Sequence, residues 1–298
     1  MNIISKIPHY LFTILWATIF SMSSVQANEI NLEKAWETEA IFKLPESVIY
    51  DEKRQVLYVS NINEDGFKRL GNGFISKVSL DGEMIEKNWI LGMDAPKGLT
   101  IVGDKLYATD INSLIEIDIE NGEILNRFIA PAAIHLNDVA ADDKGQVYAA
   151  DTLTDSIYRL NSLGLFSLWL NSSALEAPNG LYIEGKKMIV ASWGFPTDGF
   201  NTEVPGHLKI VSLIDKSIKP LGSGKPVGNL DGVEPDGKGD YYVTDWINGK
   251  LLHIRSNGDS KIIMDLSAGA ADLEVILEKN LIIIPIMMEN KLVAYKIN

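Results

Sequence analysis

The sequence predicts an all-β fold. One short pattern recurs six times between Glu46 and the C-terminus, and each copy contains a strand with an aromatic or aliphatic pair. The markers of this strand lie 49, 41, 41, 53 and 40 residues apart, at Tyr58, Tyr107, Tyr148, Ile189, Tyr242 and Ile282. A period near 40 with strand-type alternation is typical of propeller blades, whereas helical repeats need apolar residues at i, i+3 and i+4. The sequence therefore predicts a six-bladed β-propeller of four-stranded blades.

Three strands of each blade can be placed from the sequence. The first strands follow a small motif and start near residues 45, 96, 136, 178, 230 and 272. The second strands are expected at 56–62, 105–111, 146–152, 187–193, 240–246 and 281–287. The third strands are expected at 75–80, 114–119, 156–161, 207–212, 250–255 and 291–297. Turns such as Asp81-Gly82 and Asn257-Gly258 then lead into an outer strand, because these dipeptides favour tight hairpins.

The last blade runs out of chain after its third strand. Residues 33–41 precede the first motif and alternate as a strand does. We expect them to supply the missing outer strand and to close the ring, because an open ring would expose two unpaired sheet edges. Residues 28–298 then form one propeller domain, which we expect to be a monomer.

The first 27 residues resemble an export signal. Lys6 supplies a positive charge, residues 11–20 are apolar, and Val25-Gln26-Ala27 forms a small-x-small cleavage site. The apolar run is too short for a membrane anchor. The mature chain would begin near Asn28 and be periplasmic or secreted. It contains no cysteine, so disulfides and thiol nucleophiles are excluded.

The chain is acidic. Its net charge of −13 includes Lys6, so removal of the signal segment leaves −14. Such a surface repels phosphate backbones, which argues against nucleic acid as a partner. It is compatible with cations and with a small-molecule substrate.

A ring of polar residues is expected around the central channel, because the heads of the first strands surround it in a propeller. Counting back 10–12 residues from each marker selects Glu46, Lys97, Asn137, Asn179, Asp231 and Asp272. Five of the six carry side-chain oxygens, the ligands that Ca²⁺ prefers. Asn or Asp before Gly is an ordinary turn former, but Glu46 occupies the same place without that property. The pattern favours one divalent cation, Ca²⁺ before Zn²⁺, since the set offers neither nitrogen nor sulfur ligands apart from Lys97.

The blades resemble those of the senescence marker protein/gluconolactonase family over about residues 40–290. The resemblance is carried by segments 45–62, 136–152, 178–193 and 230–246. Members of that family are six-bladed, calcium- or zinc-dependent propellers that hydrolyse lactones. The resemblance implies that Glu46, Asn179 and Asp231 bind the metal, that Asn137 contacts substrate, and that Asp231 is also the base. His135 replaces an Arg that grips substrate in the family, which argues against sugar-acid lactones because His lacks the guanidinium fork.

Two other functions are compatible with the same architecture. The segment 147–160 also resembles NHL-type repeats, which are non-catalytic platforms for a small molecule or a partner protein. A strictosidine-synthase-like condensing enzyme would need a catalytic Glu that the sequence does not place. Metal-dependent hydrolysis of a lactone or related small ester remains the favoured function.

Two long connections, 61–73 and 192–206, are expected to cover the site. Their aromatic residues could form an apolar wall for substrate: Phe67, Phe74, Phe195 and Phe200.

The remaining candidate residues are expected to have structural roles. We expect turn caps at Asp110, Asp151 and Asp245, structural roles for His207 and His253, and blade packing for Trp169, Trp193 and Trp246, the last two close to the mouth.

Overall fold

The computed structural model describes residues 30–198 and 200–298. The predicted export signal lies outside the described residues. Within this part of the chain, none of the helices has the length and apolar character needed to cross a membrane.

Six four-stranded antiparallel sheets form the blades in the described residues, as the sequence predicts. Strands are numbered β1 to β26 in chain order. The first strand of each blade is, in turn, β2 Pro45–Asp51, β6 Pro96–Val102, β10 Leu136–Ala141, β14 Pro178–Glu184, β20 Leu230–Pro235 and β24 Glu274–Ile276. The second strands are β3 Val56–Asn61, β7 Lys105–Asp110, β11 Val147–Asp151, β15 Lys187–Ser192, β21 Tyr241–Asp245 and β25 Leu281–Ile286.

The third and outer strands complete each blade. The third strands are β4 Gly73–Ser79, β8 Ser113–Asp118, β12 Ser156–Leu160, β18 Leu208–Ser212, β22 Lys250–Ile254 and β26 Lys291–Ile297. The outer strands are β5 Met84–Met93, β9 Glu123–Ile129, β13 Phe166–Asn171, β19 Ile218–Pro220, β23 Ser260–Asp265 and β1 Leu32–Glu37. A separate hairpin, β16 Gly194–Asp198 and β17 Asn201–Pro205, projects from blade four. Short 3-10 helices lie at Ser173–Leu175, Leu277–Lys279 and Met287–Glu289.

The N-terminal strand closes the ring, as predicted. β1 pairs antiparallel with β26, with Leu32 opposite Ile297 and Glu37 opposite Val293. Trp36 fastens this strand to blade one, because its indole Nε1 donates to the Leu80 carbonyl at 2.9 Å. The last blade therefore combines strands from both ends of the described chain, and β1 covers the edge that β26 would otherwise expose.

The hydrophobic core lies between neighbouring blades. Tyr58 and Ile75 of blade one, for example, pack in one cluster with Leu99 and Leu106 of blade two. The first strands of adjacent blades also contact one another in a complete circle, from β2 through β24 and back to β2. Apolar side chains thus fill the layers between blades, and the central channel is left to the heads of the first strands.

Candidate functional site

A β-bulge at the head of the first strand directs side chains toward the channel in blades one to five. Pairing with the second strand shifts register between the first and fourth residues, as between Pro45 and Val48 in β2. Each bulge contains the residue that the sequence places on the channel ring. Bulges re-aim side chains and are frequent next to active sites. This backbone feature was not anticipated from the sequence.

Glycines after the ring residues let neighbouring blades approach closely. A Cβ on Gly180 would lie 2.1 Å from the carbonyl oxygen of Asp231, and one on Gly232 would lie 2.5 Å from Asp272 Oδ1. No side chain fits at such distances. The Asn-Gly and Asp-Gly pairs therefore serve close packing around the channel, in addition to the turn chemistry that the sequence suggests.

The structure brings five of the six predicted ring residues to one cavity. Its volume is about 430 Å³, and its polar floor contains Glu46, Lys97, Asn137, Asn179 and Asp231. Asp272 lies behind the floor rather than in the lining. Its backbone N–H donates to the Glu46 carbonyl at 3.0 Å, and its Oδ2 accepts from the Ser47 hydroxyl at 2.7 Å.

Three floor residues present buried oxygens that accept no hydrogen bond from any described residue. These atoms are Glu46 Oε2, Asn137 Oδ1 and Asn179 Oδ1. Buried polar atoms almost always have partners, so three orphaned acceptors in one cavity call for a ligand. The Asn179 side chain also hydrogen-bonds Asp231, which adds a carboxylate to the set. Carboxylate and amide oxygens are the donor set of a hard cation such as Ca²⁺, so these residues fit the predicted metal.

Burial and mutual repulsion disfavour the charged form of these carboxylates. Burial, with the charges of Asp231 and Asp272, raises the pKa of Glu46 well above its usual value. Burial and the charge of Asp272 raise the pKa of Asp231 in the same way, and burial raises the pKa of Asp272 to about 7. Asp138 belongs to this group, since burial and Asp272 raise its pKa too. A bound cation would relieve the repulsion.

Asp138 was missed at the sequence level, although it directly follows Asn137 inside the bulge of β10. Its Oδ2 accepts from the backbone N–H of Leu181 at 2.6 Å and so joins blades three and four. The adjacent Thr109 hydroxyl donates to the Asn137 carbonyl. These bonds fix the positions of Asn137 and Asn179 relative to each other.

Lys97 is the one lysine or arginine in the cavity's described lining. Its ammonium donates to the Ala95 carbonyl at 3.1 Å and to the Gly66 carbonyl at 3.3 Å. Burial lowers the pKa of Lys97, while the nearby Glu46 carboxylate opposes that shift. Lys97 thus ties the 61–73 connection to the floor and partly offsets the carboxylate charge.

His135 forms one side of the cavity. Its backbone N–H donates to Asp151 Oδ1 at 3.0 Å, which confirms Asp151 as a loop cap and shows that it positions the histidine. The imidazole stacks on Phe67 with ring centroids 4.6 Å apart, and its Nδ1 has no partner among the described residues. Burial and the Lys97 charge lower the pKa of His135 well below its usual value, so it is neutral at pH 7.

Both long connections contribute residues to the lining of this cavity, but only two of the four phenylalanines line it. Phe67 and Phe200 do so and approach each other, with centroids 5.9 Å apart. The expectation was wrong for Phe74, which is buried in β4, and for Phe195, which is exposed outside the lining. Alternation along the strands separates these positions, and the sequence did not reveal that 192–206 forms a hairpin.

The other candidates fall outside the cavity, except for two tryptophans. Trp193 and Trp246 line it, whereas Trp169 packs edge-on against Tyr148 within its blade. Asp110 and Asp245 accept backbone N–H bonds at loops, as expected of caps. His207 lies near Glu176 and Lys209.

His253 belongs to a small cluster beside the turn that joins β20 to β21. Its Nε2 lies 3.0 Å from Asp236 Oδ2, and the ligand atoms of Asp236, Asp240 and His253 all lie within 4.8 Å of one another. This turn is at the end of the blade opposite the first-strand heads. The cluster is therefore separate from the cavity described above.

No protein-family model matches the sequence, and no curated protein matches it. Solved structures do match. A gluconolactonase from Xanthomonas campestris superposes with a TM-score of 0.66 at 14% identity, covering 90% of this chain and 90% of that chain. A catalytically inactive virginiamycin B lyase from Staphylococcus aureus, solved with quinupristin, gives 0.61 at 15% identity, with 90% and 99% covered. A streptogramin B lyase gives 0.61 at 12% identity, with 90% and 98% covered. The chain shares its propeller fold with these proteins.

Proposed function

We propose that this protein hydrolyses a lactone or related small ester at the channel mouth. One divalent cation, Ca²⁺ before Zn²⁺, would be held there by Glu46, Asn179 and Asp231. The observation that carries the proposal is the group of orphaned buried oxygens on the floor of a cavity. The fold shared with a gluconolactonase supports the type of substrate. The predicted export would place the reaction in the periplasm or outside the cell.

The floor residues supply the groups that ester hydrolysis needs. When bound, the cation would polarise the ester carbonyl and lower the pKa of a bound water. Asp231, or a neighbouring carboxylate, takes a proton from the attacking water, whose oxygen adds to the carbonyl carbon. The ester C–O bond then breaks, and the alcohol oxygen receives the proton, so the product of a lactone is a hydroxy acid. Asn137 and the neutral His135 border the same space and orient the substrate through hydrogen bonds.

The test is a panel of lactones and simple esters, assayed by acid release after chelator treatment and after addition of Ca²⁺. Activity should be lost with the chelator and return with Ca²⁺. Glu46→Gln and Asp231→Asn should remove it, whereas Glu203→Gln, an exposed carboxylate on the hairpin, should leave it unchanged. Activity that is equal in chelator and in Ca²⁺ would contradict the proposal.

Solvent labelling distinguishes hydrolysis from elimination, a question raised by the fold shared with two lyases. Hydrolysis in H₂¹⁸O places one ¹⁸O in the product carboxylate. Elimination breaks the same ester without adding water and yields an unlabelled acid and an alkene. A non-catalytic binding propeller, the remaining alternative, would bind panel members without releasing acid.

A further inference from the structure

A continuous group of aromatic rings borders the cavity above its polar floor. His135 stacks on Phe67 at 4.6 Å, and Phe67 meets Phe200 at 5.9 Å. Phe200 meets Trp193 at 5.6 Å, and Trp193 meets Trp246 at 6.0 Å. These five rings come from blades one, three, four and five, so they surround much of the mouth. We call them the aromatic rim.

Apart from the His135 ring nitrogens, the aromatic rim offers apolar faces rather than hydrogen-bonding groups. The Trp193 Nε1 already donates to the Phe200 carbonyl at 2.8 Å. Among the described lining residues, the charged ones, Glu46, Lys97 and Asp231, all lie on the floor. Phe67 leaves 48% of its surface exposed at the mouth, although it is a large apolar side chain. A ligand that covered this ring would gain apolar burial, whereas a hydroxyl held against the ring face would lose water partners that the ring cannot replace.

We propose that the substrate is a lactone or ester with a flat, apolar substituent, and that the aromatic rim selects it against polyhydroxylated sugar lactones. This inference rests on the proposed hydrolysis and names its substrate class. The reacting carbonyl would lie on the floor, and the substituent would lie between Phe67, Phe200 and Trp193. Each methylene or equivalent that the rim buries should raise kcat/KM about fourfold, until the cavity is filled.

The experiment compares three γ-lactones: unsubstituted, phenyl-substituted, and hydroxylated like a sugar lactone. The phenyl-substituted compound should have a kcat/KM at least tenfold above the other two. Phe67→Ala should lower that value about tenfold and should lower the value for the unsubstituted lactone less, so that the ratio of the two values falls. Phe195→Ala is the matched control, because Phe195 is 49% exposed on the neighbouring hairpin but lies outside the cavity lining. It should behave as the parent protein.

A binding measurement separates this inference from the proposed reaction. The phenyl-substituted γ-lactam resists hydrolysis, and its binding should quench the fluorescence of Trp193 and Trp246. Lactam binding that weakens in Phe67→Ala but not in Phe195→Ala supports the apolar preference even if no lactone is hydrolysed. Preference for the hydroxylated lactone, equal behaviour of the two variants, or failure of the lactam to bind would each overturn it.

Discussion

Removing divalent cations and raising the pH should destabilise this protein. Burial raises the pKa of Asp272 from 3.8 to about 7, and that of Glu274 from 4.5 to about 8. Between about pH 4 and these values, the folded protein therefore holds protons that the unfolded chain has released. Stability is highest at the acid end of this window and falls as the pH rises through it.

The size of the expected loss of stability can be calculated from Asp272 alone. A shift of the pKa from 3.8 to about 7 corresponds to about 4 kcal/mol, at 1.36 kcal/mol for each pH unit. Because the unfolded carboxyl is already largely ionised at pH 5, about 3 kcal/mol of this falls between pH 5 and pH 8. Domains of this size lose about 2–4 °C in Tm for each kcal/mol, so the Tm should drop by about 10 °C. Glu274 adds to the effect, but not additively, since the two carboxyls repel each other.

The assay is thermal unfolding in chelator at pH 5, 6, 7 and 8 at constant ionic strength. Ca²⁺ should restore the Tm at pH 8 more than at pH 5, because it compensates the ionised carboxylates. Asp272→Asn should flatten the profile while keeping an acceptor for the Ser47 hydroxyl. Asp265→Asn, which changes an exposed carboxylate, should leave the pH profile of the Tm unchanged. A Tm that is constant or rises from pH 5 to pH 8 in chelator would refute the reasoning.

Three further predictions concern the fold and the mouth. Deletion of residues 28–41 should remove β1, expose the edge of β26 and cause aggregation or unfolding. A soluble truncated protein with the parent Tm would contradict ring closure by β1. Gly180→Ala should lower the free energy of unfolding by about 3 kcal/mol in a denaturant titration, because the added Cβ would lie 2.1 Å from the Asp231 carbonyl oxygen. Gly66→Ala is the control: its added Cβ would have contacts only at 3.9 Å, so its stability should stay within about 0.5 kcal/mol of the parent. Replacing 192–206 by a tight turn should change KM or substrate preference and leave Ca²⁺ affinity nearly intact, and unchanged kinetics for every substrate would argue against a covering role.

The fold could be predicted because its signals are local and repeated. Strand alternation, turn dipeptides and a regular spacing occur in each blade, so an ambiguous copy such as LIIIPI in β25 is identified by the other five. Ring closure followed from counting strands, since the last blade lacked one. The end of β1 at Glu37 rather than residue 41 depends on register with β26, which the sequence does not display.

The candidate site was predictable where one position per blade recurs and not where blades differ. Glu46, Asn137, Asn179 and Asp231 share an equivalent place, which counting from the second strands recovers. Asp138 was not predicted as a site residue because the β10 bulge carries two polar residues in succession. Strand alternation would assign the second of them to the opposite face of the sheet. The aromatic rim was predicted only in part because the side chains of loops follow no regular period. Phe195, for example, was expected in the cavity lining but lies outside it. Tertiary contacts between loops decide such positions.

The most direct test of the proposed metal site is calorimetric titration of the chelator-treated protein with Ca²⁺ at pH 7. The site predicts one bound Ca²⁺ per chain, with binding abolished in Glu46→Gln and Asp231→Asn and retained in Glu203→Gln. Binding should also release protons, detectable as a dependence of the heat on the buffer, because burial and mutual repulsion raise the pKa values of Glu46 and Asp231 and a cation would lower them. No Ca²⁺ or Zn²⁺ binding, or binding that survives both floor substitutions, would contradict it.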